Sequence, residues 1–483
     1  MARPVLAPAM EPDVPRPGLA RSYWLREALA LDPGAPCPPL DHDIDADVVV
    51  LGGGYTGMWT AYFLTEYEPA TRVVILESDI CGGGPSGRNG GFVLGMWDEL
   101  PALVELFGER AAMGVCRATA SSVAGIGRWC REHDVDAWFN AAGQIQAATT
   151  AAQEGAWRRA TELAERLGVG DRYRELTPDE VRTRCRSPVF RSGAFMRDAA
   201  TVQPARLARG LRRVLLERGV RIFEGSPVRR FRPGPPAIAA TDGGTVSARR
   251  LVLGLNAWSA ALPAFRRSLV VWGSYIALTA PAPEALAEIG WTGGECLTDL
   301  RTSVRYLRTT PDGRIAAGGG GGNAGAGHRI GPMFTNDPAA ARSAVLGLRR
   351  MFPPFSRVSI EAAWGGPIDV SPNHLPFFGT LPPGNVHYAV GYTGNGVGPS
   401  YLAGRTLAAL ALDREDATTR LALVDAEPRR FPPEPLRSIG ARVVRAAILR
   451  KEGTEERGGH PDPVTRLVAG LPRRMGYRLG SDT

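Results

Sequence analysis

A short apolar run that ends abruptly in glycine constrains the fold of this chain more than any other feature. Residues 48–51 are valines and a leucine, which is typical of a strand buried on both faces. Residues 55–67 read as a helix, and residues 72–77 read as a second buried strand. The glycines between the first strand and the helix follow GxGxxG spacing: Gly52, Gly54 and Gly57. This order predicts a βαβ unit with a parallel sheet.

Each glycine of this motif has its own physical role in binding a dinucleotide. Gly52 permits the tight turn, Gly54 lets the backbone approach a pyrophosphate, and Gly57 lets the helix pack closely on the strand. The helix N-terminus adds unpaired N–H groups and the positive end of a dipole. Glu77 ends the second strand twenty residues after Gly57 and can accept hydrogen bonds from both ribose hydroxyls. The pattern predicts an adenine dinucleotide, either NAD or FAD.

The segment that follows favours FAD over NAD. Residues 81–92 read CGGGPSGRNGGF, a glycine-rich loop directly after the acidic strand end. At this place the ribityl chain and the second phosphate of a flavin need close approach of the backbone. The loop therefore indicates a flavoprotein.

Seven motifs along the chain occur in an order that is far more specific than any one of them. They are ADVVVLGGGYTG at 46–57, SGRNGG at 86–91, TVQPARLARGL at 201–211, LVLGLNAW at 251–258, YLRTTPDGRIAAGG at 306–319, WGGPIDVSPNHLPFFG at 364–379 and GYTGNGVGPSYLAGR at 391–405. Over about residues 44–412 the chain resembles the FAD-dependent D-amino acid oxidase superfamily. Within it, the chain looks most like the gamma-glutamylputrescine oxidase-like and the glycine or sarcosine oxidase-like amine oxidoreductases.

The resemblance implies an extended FAD and assigns its contacts by position. The assigned residues are Gly52, Gly54, Tyr55, Thr56 and Gly57 around the pyrophosphate, Glu77 at the ribose, Val228 at adenine, Arg88, Asn89, Gly90 and Gly91 near the isoalloxazine, and Gly394, Asn395, Gly396 and Val397 at its pyrimidine ring. The helix after this last loop would direct its positive end at the ring, where reduction leaves negative charge. No cysteine lies in residues 303–310, where sarcosine oxidases attach their flavin, so we expect noncovalent FAD.

The expected fold class is α/β, with a Rossmann-type FAD-binding domain built on a parallel sheet. This domain is interleaved with an α+β substrate domain that has an antiparallel sheet. The expected boundaries are 1–43 for an N-terminal arm, 44–100, 196–265 and 366–412 for the FAD-binding domain, 101–195 and 266–365 for the substrate domain, and 413–483 for a C-terminal extension. Residues 101–195 read as helical and charged, and the polar extension carries one amphipathic helix candidate near 439–449.

Two anchors for a substrate carboxylate are missing from the sequence. Family members that oxidise α-amino acids usually carry an arginine for this carboxylate, where the present chain has Ile368. Sarcosine-oxidase-like members use a lysine in the last glycine loop, where the present chain has Gly398. The resemblance thus points away from plain α-amino acids.

The reaction that the resemblance implies is oxidation of a C–N bond in a primary or secondary amine. Hydride passes to flavin N5, an imine forms, and O2 is the expected electron acceptor. The candidate catalytic residues are Tyr306, Arg88 and Tyr275. Sarcosine oxidases promote oxygen reduction with a lysine, whereas Lys451 is the only lysine here. The alternatives are a flavin amine dehydrogenase that reduces a quinone or carrier protein, a flavin monooxygenase, and a noncatalytic FAD-binding subunit.

Composition excludes several other classes of function. The chain has 483 residues, 44% of them hydrophobic and 22% charged, which is enough for one or two hydrophobic cores. The formal net charge is +8, but the arginines are scattered, so we expect no nucleic-acid partner. Six separated cysteines predict reduced thiols and no metal site. No export signal or membrane-spanning stretch is recognised, so we expect a cytoplasmic protein of open oligomeric state.

Overall fold

The computed structural model describes residues 21–480. Its strands are β1 (Ile44–Leu51), β2 (Val73–Leu76), β3 (Phe92–Leu94), β4 (Gln144–Ala147), β5 (Tyr173–Leu176), β6 (Gly193–Met196), β7 (Ala199–Thr201), β8 (Arg221–Phe223), β9 (Arg230–Arg232), β10 (Ala237–Ala240), β11 (Thr245–Leu253), β12 (Val270–Thr279), β13 (Cys296–Asp299), β14 (Arg305–Thr309), β15 (Ile315–Gly319), β16 (Ile360–Val370), β17 (Phe377–Leu381) and β18 (Val386–Val390). Its α-helices are α1 (Tyr23–Leu31), α2 (Tyr55–Tyr67), α3 (Leu100–Phe107), α4 (Glu109–Glu132), α5 (Arg158–Arg166), α6 (Pro178–Arg184), α7 (Pro204–Glu217), α8 (Pro283–Ile289), α9 (Pro338–Met351), α10 (Val397–Ala411), α11 (Leu436–Glu456), α12 (Pro463–Ala469) and α13 (Leu471–Arg474). Residues 1–20 of the expected N-terminal arm and residues 481–483 of the expected extension lie outside the described residues.

The first sheet is mainly parallel and contains the predicted βαβ unit. Its strands run in the order β17-β18-β11-β1-β2-β8, with β10 paired to β11 and β9 paired to β10. Strand β1 is parallel to both neighbours, and Val49 lies opposite Leu251 on one side and Val74 on the other. Because β1 is central and covered on both faces, its second half is uninterrupted apolar sequence. The predicted strand, helix and second strand are confirmed.

The second sheet is mainly antiparallel and runs in the order β16-β12-β15-β14-β13-β4-β6-β5. Only β4 and β13 are parallel neighbours in it. Along the chain, groups of strands from the mainly parallel sheet alternate with groups from the mainly antiparallel sheet. This confirms the predicted fold class. The helical reading of residues 101–195 is wrong for β4, β5 and β6. Polar Gln144 and Gln146 obscured β4, since both side chains are buried rather than solvated.

The described part of the N-terminal arm packs on both sheets through α1. Ser22 Oγ donates a hydrogen bond to the Gly87 carbonyl at 2.5 Å. The ring of Trp24 packs edge-on against Trp364 of the second sheet, with centroids 5.6 Å apart. The arm therefore fastens the glycine loop of one sheet to an edge strand of the other.

The C-terminal extension forms α11, α12 and α13 and docks on the second sheet. Arg301 pairs with Glu452 of α11 at 2.8 Å and with Glu456 at 2.5 Å. The side chains of Arg301 and Glu452 are only 7% and 4% exposed, so this contact is buried. Within residues 21–480, no helix, α11 included, has the length and apolar character that crossing a membrane requires.

Candidate active site

The glycine motif forms a turn that has no room for side chains. Gly52 has a φ of +104°, and its N–H donates to the Leu76 carbonyl at 2.9 Å. A Cβ on Gly57 would lie 2.0 Å from the Gly52 carbonyl oxygen, and one on Gly53 would lie 2.5 Å from Cys81 Sγ. We call Gly52, Gly53, Gly54 and Gly57 the glycine cradle. Its shape brings bare backbone to the N-terminus of α2, which has no side-chain cap.

Glu77 follows β2 and faces the glycine cradle. Its carboxylate accepts the N–H groups of Gly53 at 2.8 Å and of Asp79 at 2.9 Å. Burial raises the pKa of Glu77 above its usual value. Its backbone carbonyl accepts the N–H of Ser226 at 2.7 Å, so Val228, two residues further on and partly buried, belongs to the same end of the sheet.

Two polar contacts join the start of α2 to the later loops. The Tyr55 N–H donates to Ser86 Oγ at 2.8 Å. Thr56 Oγ1 and the Tyr392 hydroxyl share a hydrogen bond of 2.8 Å. Through Ser86 and Tyr392, the two loops expected at the isoalloxazine are thus tied to the helix end expected at the pyrophosphate.

The SGRNGG loop is held by its own side chains. Asn89 Oδ1 accepts the Gly91 N–H at 2.7 Å, which closes a tight turn. Arg88 Nε donates to the Gly83 carbonyl at 3.0 Å, and the Arg88 carbonyl accepts from Trp364 Nε1 at 2.7 Å. Burial lowers the pKa of Arg88. The Gly83 carbonyl thereby positions the guanidinium, and Trp364 of the second sheet fixes the backbone of Arg88.

Asp369 holds the closing loop that contains Gly394, and the sequence analysis gave it no role. Its carboxylate accepts the N–H groups of Gly391 at 2.5 Å and of Tyr392 at 3.2 Å, and an Asn256 N–H at 3.0 Å. Burial raises the pKa of Asp369 to about 7. An acid at the end of an otherwise apolar strand was the available sequence signal.

A cavity of about 690 Å³ lies between the two sheets. The predicted cofactor residues that line it are Arg88, Asn89, Gly90, Gly394, Asn395 and Val397. The second sheet contributes a wall that includes Gln144, Trp272, Ser274, Ile276 and Tyr306. The other predicted cofactor residues do not line this cavity: Gly52, Gly54, Tyr55, Thr56, Gly57, Glu77, Gly91, Val228 and Gly396. The glycine cradle thus lies outside the cavity, and the SGRNGG loop and the loop at Gly394 border it.

Tyr306 faces the cavity next to the SGRNGG loop. Its hydroxyl shares a hydrogen bond of 2.8 Å with Ser274 Oγ, and its ring packs edge-on against Phe92. A Cβ on Gly318 would lie 2.1 Å from the Tyr306 ring, and one on Gly90 would lie 3.0 Å from it. Burial raises the pKa of Tyr306 to about 12, so the hydroxyl keeps its proton at neutral pH.

Tyr275 faces the opposite side of β12. Neighbouring residues 272, 274 and 276 line the cavity, and alternation along a strand turns residue 275 away from it. The Tyr275 hydroxyl donates to the Met333 carbonyl, and the residue is 1% exposed. Tyr275 therefore packs in the core and does not line the cavity, so its predicted catalytic role gains no support from this position.

The third side of the cavity comes from the C-terminal extension. We call α11 together with residues 471–480 the C-terminal roof. Its cavity-lining apolar residues are Leu436, Ala441, Val444, Ile448, Leu449, Leu471 and Met475. Arg445 fixes the roof to the glycine-rich loop after β15, donating to the carbonyls of Gly321 at 2.6 Å and Gly322 at 2.7 Å. The sequence analysis did not place the extension at the site.

A mainly parallel sheet with this glycine cradle, next to a buried cavity, defines a dinucleotide-dependent protein of the Rossmann type. The chain belongs to the FAD dependent oxidoreductase family, whose model matches residues 47–410. The C-terminal roof lies beyond that match.

Individual proteins agree with the family assignment. Gamma-glutamylputrescine oxidoreductase of Escherichia coli (strain K12) is 28% identical over 389 residues, covering 78% of this chain and 86% of that protein. Probable oxidoreductase OrdL of Haemophilus influenzae is 25% identical over 394 residues, with coverage of 78% and 86%. The crystal structure of glycine oxidase from Geobacillus kaustophilus superposes with a TM-score of 0.64 at 21% identity, covering 79% of this chain and 99% of that one, which supports the fold.

The residues present fit an FAD. Because Gly57 has no Cβ, the start of α2 can lie directly against the Gly52 carbonyl, as the turn of a dinucleotide site requires. Glu77 supplies carboxylate oxygens beside the cradle. At the cavity end, Asn395 Oδ1 is buried and has no hydrogen-bond partner among residues 21–480.

Proposed function

We propose that this protein oxidises a C–N bond of a primary or secondary amine to an imine, using noncovalently held FAD. The observation that carries the proposal is the cavity itself. The loops predicted to contact the flavin form one side of it, and apolar strands and the C-terminal roof form the others. The names of the similar proteins, gamma-glutamylputrescine oxidoreductase and glycine oxidase, point to the same class of reaction.

FAD, when bound, supplies the two-electron oxidant that takes a hydride from the carbon next to nitrogen. The protein residues do the remaining work by excluding water and positioning the amine. A protonated amine has no lone pair to assist the loss of hydride, and the apolar walls favour its neutral form. These walls include Leu94, Met96, Val270, Ile276 and Val304. The neutral Tyr306 hydroxyl can orient the amine nitrogen by a hydrogen bond.

Ile368 supports an amine without an α-carboxylate. It lines the cavity, and its Cδ1 lies 3.4 Å from where a Cβ on Gly394 would be. An apolar side chain at this place cannot pair with a carboxylate. Ile368 therefore supports a proposed substrate that lacks an α-carboxylate.

Noncovalent attachment is supported by the position of Cys296. This residue is fully buried, its thiol points to the Gly143 carbonyl at 3.6 Å, and no cysteine is among the described residues that line the cavity. Burial also raises the pKa of its thiol, so a reactive thiolate is disfavoured. We extend the proposal to a cytoplasmic location, which rests on the sequence expectation alone.

The proposed electron acceptor is O2, with a quinone or carrier protein as the second candidate. One observation favours the second candidate. Lys451 of α11, the only lysine of the chain, pairs with Glu455 at 3.0 Å and does not line the cavity. No lysine is thus available at the cavity to promote oxygen reduction. Hydrogen peroxide formed in air, measured against turnover with an added quinone, separates the two.

The test of the amine reaction is anaerobic loss of flavin absorbance. We expect n-propylamine and N-methylpropylamine to bleach the purified flavoprotein at least about ten-fold faster than 2-aminobutyrate, because one missing charge-assisted contact costs about 1.4 kcal/mol or more. Ile368→Arg should reverse the order. Ile439→Arg adds the same charge at an exposed site on α11 and should not. Equal bleaching by the amino acid, or no bleaching by any amine, contradicts the proposal.

A further inference from the structure

Two glutamines of β4 bring polar groups to the cavity wall. Gln144 and Gln146 are 2% and 4% exposed, and both line the cavity. Gln144 Nε2 donates to Thr298 Oγ1 at 3.1 Å, but Gln144 Oε1 has no hydrogen-bond partner among residues 21–480. A buried acceptor without a donor costs free energy unless a bound group supplies the donor.

Asp98 presents a second unused acceptor to the same cavity. Its Oδ2 accepts from Gln146 Nε2 at 2.9 Å, and Gln146 Oε1 in turn accepts from the Tyr173 hydroxyl at 2.5 Å. Its Oδ1 is buried and has no hydrogen-bond partner in the described part of the chain. The carboxylate is therefore held through Oδ2, while Oδ1 can accept a hydrogen bond from a ligand.

The positive groups around the cavity are already engaged with the protein. Four arginines line it, and each is paired: Arg88 with the Gly83 carbonyl, Arg437 with Glu434, Arg445 with the carbonyls of Gly321 and Gly322, and Arg478 with Glu99. Each of these arginines thus already has an acceptor, whereas Gln144 Oε1 and Asp98 Oδ1 have no donor among residues 21–480. A ligand that completes the wall must bring hydrogen-bond donors, and a positive charge would match Asp98.

Asp98, Gln144 and Gln146 form a polar end of the cavity, and β4 with its two glutamines lies two strands away from Tyr306. In the second sheet, Gln146 pairs with Thr298 across β4 and β13, and Thr298 pairs with Tyr306 across β13 and β14. Neighbouring strands are about 4.8 Å apart, so the backbones of Gln146 and Tyr306 lie about 10 Å apart. We therefore expect a substrate that reaches from Tyr306 to the Asp98 end of the cavity to be elongated.

We infer that Asp98 and Gln144 form a subsite for a second, positively charged amine at the far end of an elongated substrate. This inference rests on the proposed function and narrows its substrate class to diamines and related amines with a distal cation. The reacting nitrogen stays neutral among the apolar walls, while the distal ammonium donates to Asp98 Oδ1 and Gln144 Oε1.

Binding can be measured apart from turnover with amines that carry two methyl groups on every carbon attached to nitrogen. These probes have no α C–H bond to lose, so calorimetry on the flavin-loaded protein reports binding alone. We expect diaminoalkanes methylated in this way to bind about ten-fold more tightly than the matching monoamines, which is typical of one charge-assisted hydrogen bond. Asp98→Asn should remove this preference, and Gln144→Leu should reduce it several-fold.

Glu105→Gln is the matched control. Glu105 is exposed on α3, outside the cavity, and pairs only with exposed Arg159 at 3.4 Å. Glu105→Gln removes one negative charge, as Asp98→Asn does, from a position close to Asp98 in the sequence. It should leave the preference for diamines unchanged. If wild type shows no preference, or if the preference survives both Asp98→Asn and Gln144→Leu, the subsite is refuted. Gln144→Leu tests the subsite even if Asp98→Asn does not fold.

The ordinary, unmethylated diamines separate this inference from the proposed function. Flavin bleaching by simple monoamines without any diamine preference would leave the function standing and refute the subsite. Tight diamine binding without bleaching by any amine would support the subsite and refute the function.

Discussion

The glycine cradle and the C-terminal roof are built by opposite means. The cradle consists of backbone in contact with backbone, within six residues of sequence and inside the family match. The roof is held by side-chain ion pairs between residues about 150 positions apart, Arg301 and Glu452, beyond that match. The difference teaches that a cofactor shared by a family constrains a short local pattern, whereas a wall of the neighbouring cavity can come from a segment without any motif.

The largest effect is expected from Gly57→Ala, which breaks the cradle. The added Cβ would lie 2.0 Å from the Gly52 carbonyl oxygen, and backbone cannot yield as a side chain can. We expect purified protein without flavin absorbance and a free energy of unfolding lower by about 4 kcal/mol. Gly114→Ala on α4 is the matched control, since its nearest contact is 3.9 Å away. Full flavin content in Gly57→Ala would show that the cradle does not hold the cofactor.

Glu452→Gln should loosen the roof and leave the cradle intact. It removes one carboxylate from a buried pair with Arg301, which costs about 3 kcal/mol at such sites. Hydrogen exchange in residues 436–480 should rise, while flavin content stays at the wild-type level. Glu455→Gln, on the same helix in an i,i+4 pair with Lys451, should change neither. Loss of flavin with Glu452→Gln would instead couple the two regions.

Asp369 should make the closing loop sensitive to pH. The folded protein keeps a proton on a group with a pKa of about 7, whereas the unfolded chain loses it near pH 4. The stability that Asp369 contributes is therefore complete below about pH 4 and is lost as the pH rises to about 7, by up to about 1.4 kcal/mol per pH unit. The difference in unfolding free energy between wild type and Asp369→Asn should fall over this range. A difference independent of pH contradicts this assignment.

The smallest effects are expected from removing the hydroxyl group of Tyr306 or of Tyr275, two tyrosines of the second sheet that face opposite sides. Tyr306→Phe removes the cavity hydroxyl and should slow flavin reduction by amines about ten-fold, with little change in Tm. Tyr275→Phe removes the hydrogen bond to the Met333 carbonyl and should cost about 1 kcal/mol of stability without affecting reduction. The reverse pattern would restore the catalytic position predicted for Tyr275.

The sequence predicted what local chemistry dictates. The residues from β1 to Glu77 could be placed because the cradle tolerates only glycine and because the buried strands must be apolar. The direction of the Tyr275 side chain could not be predicted. Alternation along a strand divides its side chains into two sets that face opposite sides of the sheet. It does not say which set faces the cavity, and no residue of β12 reveals this from its sequence.

The site residues that escaped prediction are those whose partners lie far away in sequence. Asp98 meets Gln146 across a loop and two helices, and Glu452 meets Arg301 across three strands of the second sheet and two of the first. The amphipathic helix near 439–449 could be recognised from its periodicity. Its docking place depends on single ion pairs, which leave no periodic signal.

The interleaving of the two sheets has a consequence for how the chain folds. Strand β1 needs β11, about 200 residues later, and β4 needs β13, about 150 residues later. Neither half of the chain contains all the strands of either sheet, so long loops must close before many of the native strand pairs form. Refolding from denaturant should consequently be slow and prone to aggregation, and expression of either half of the polypeptide alone should yield insoluble material.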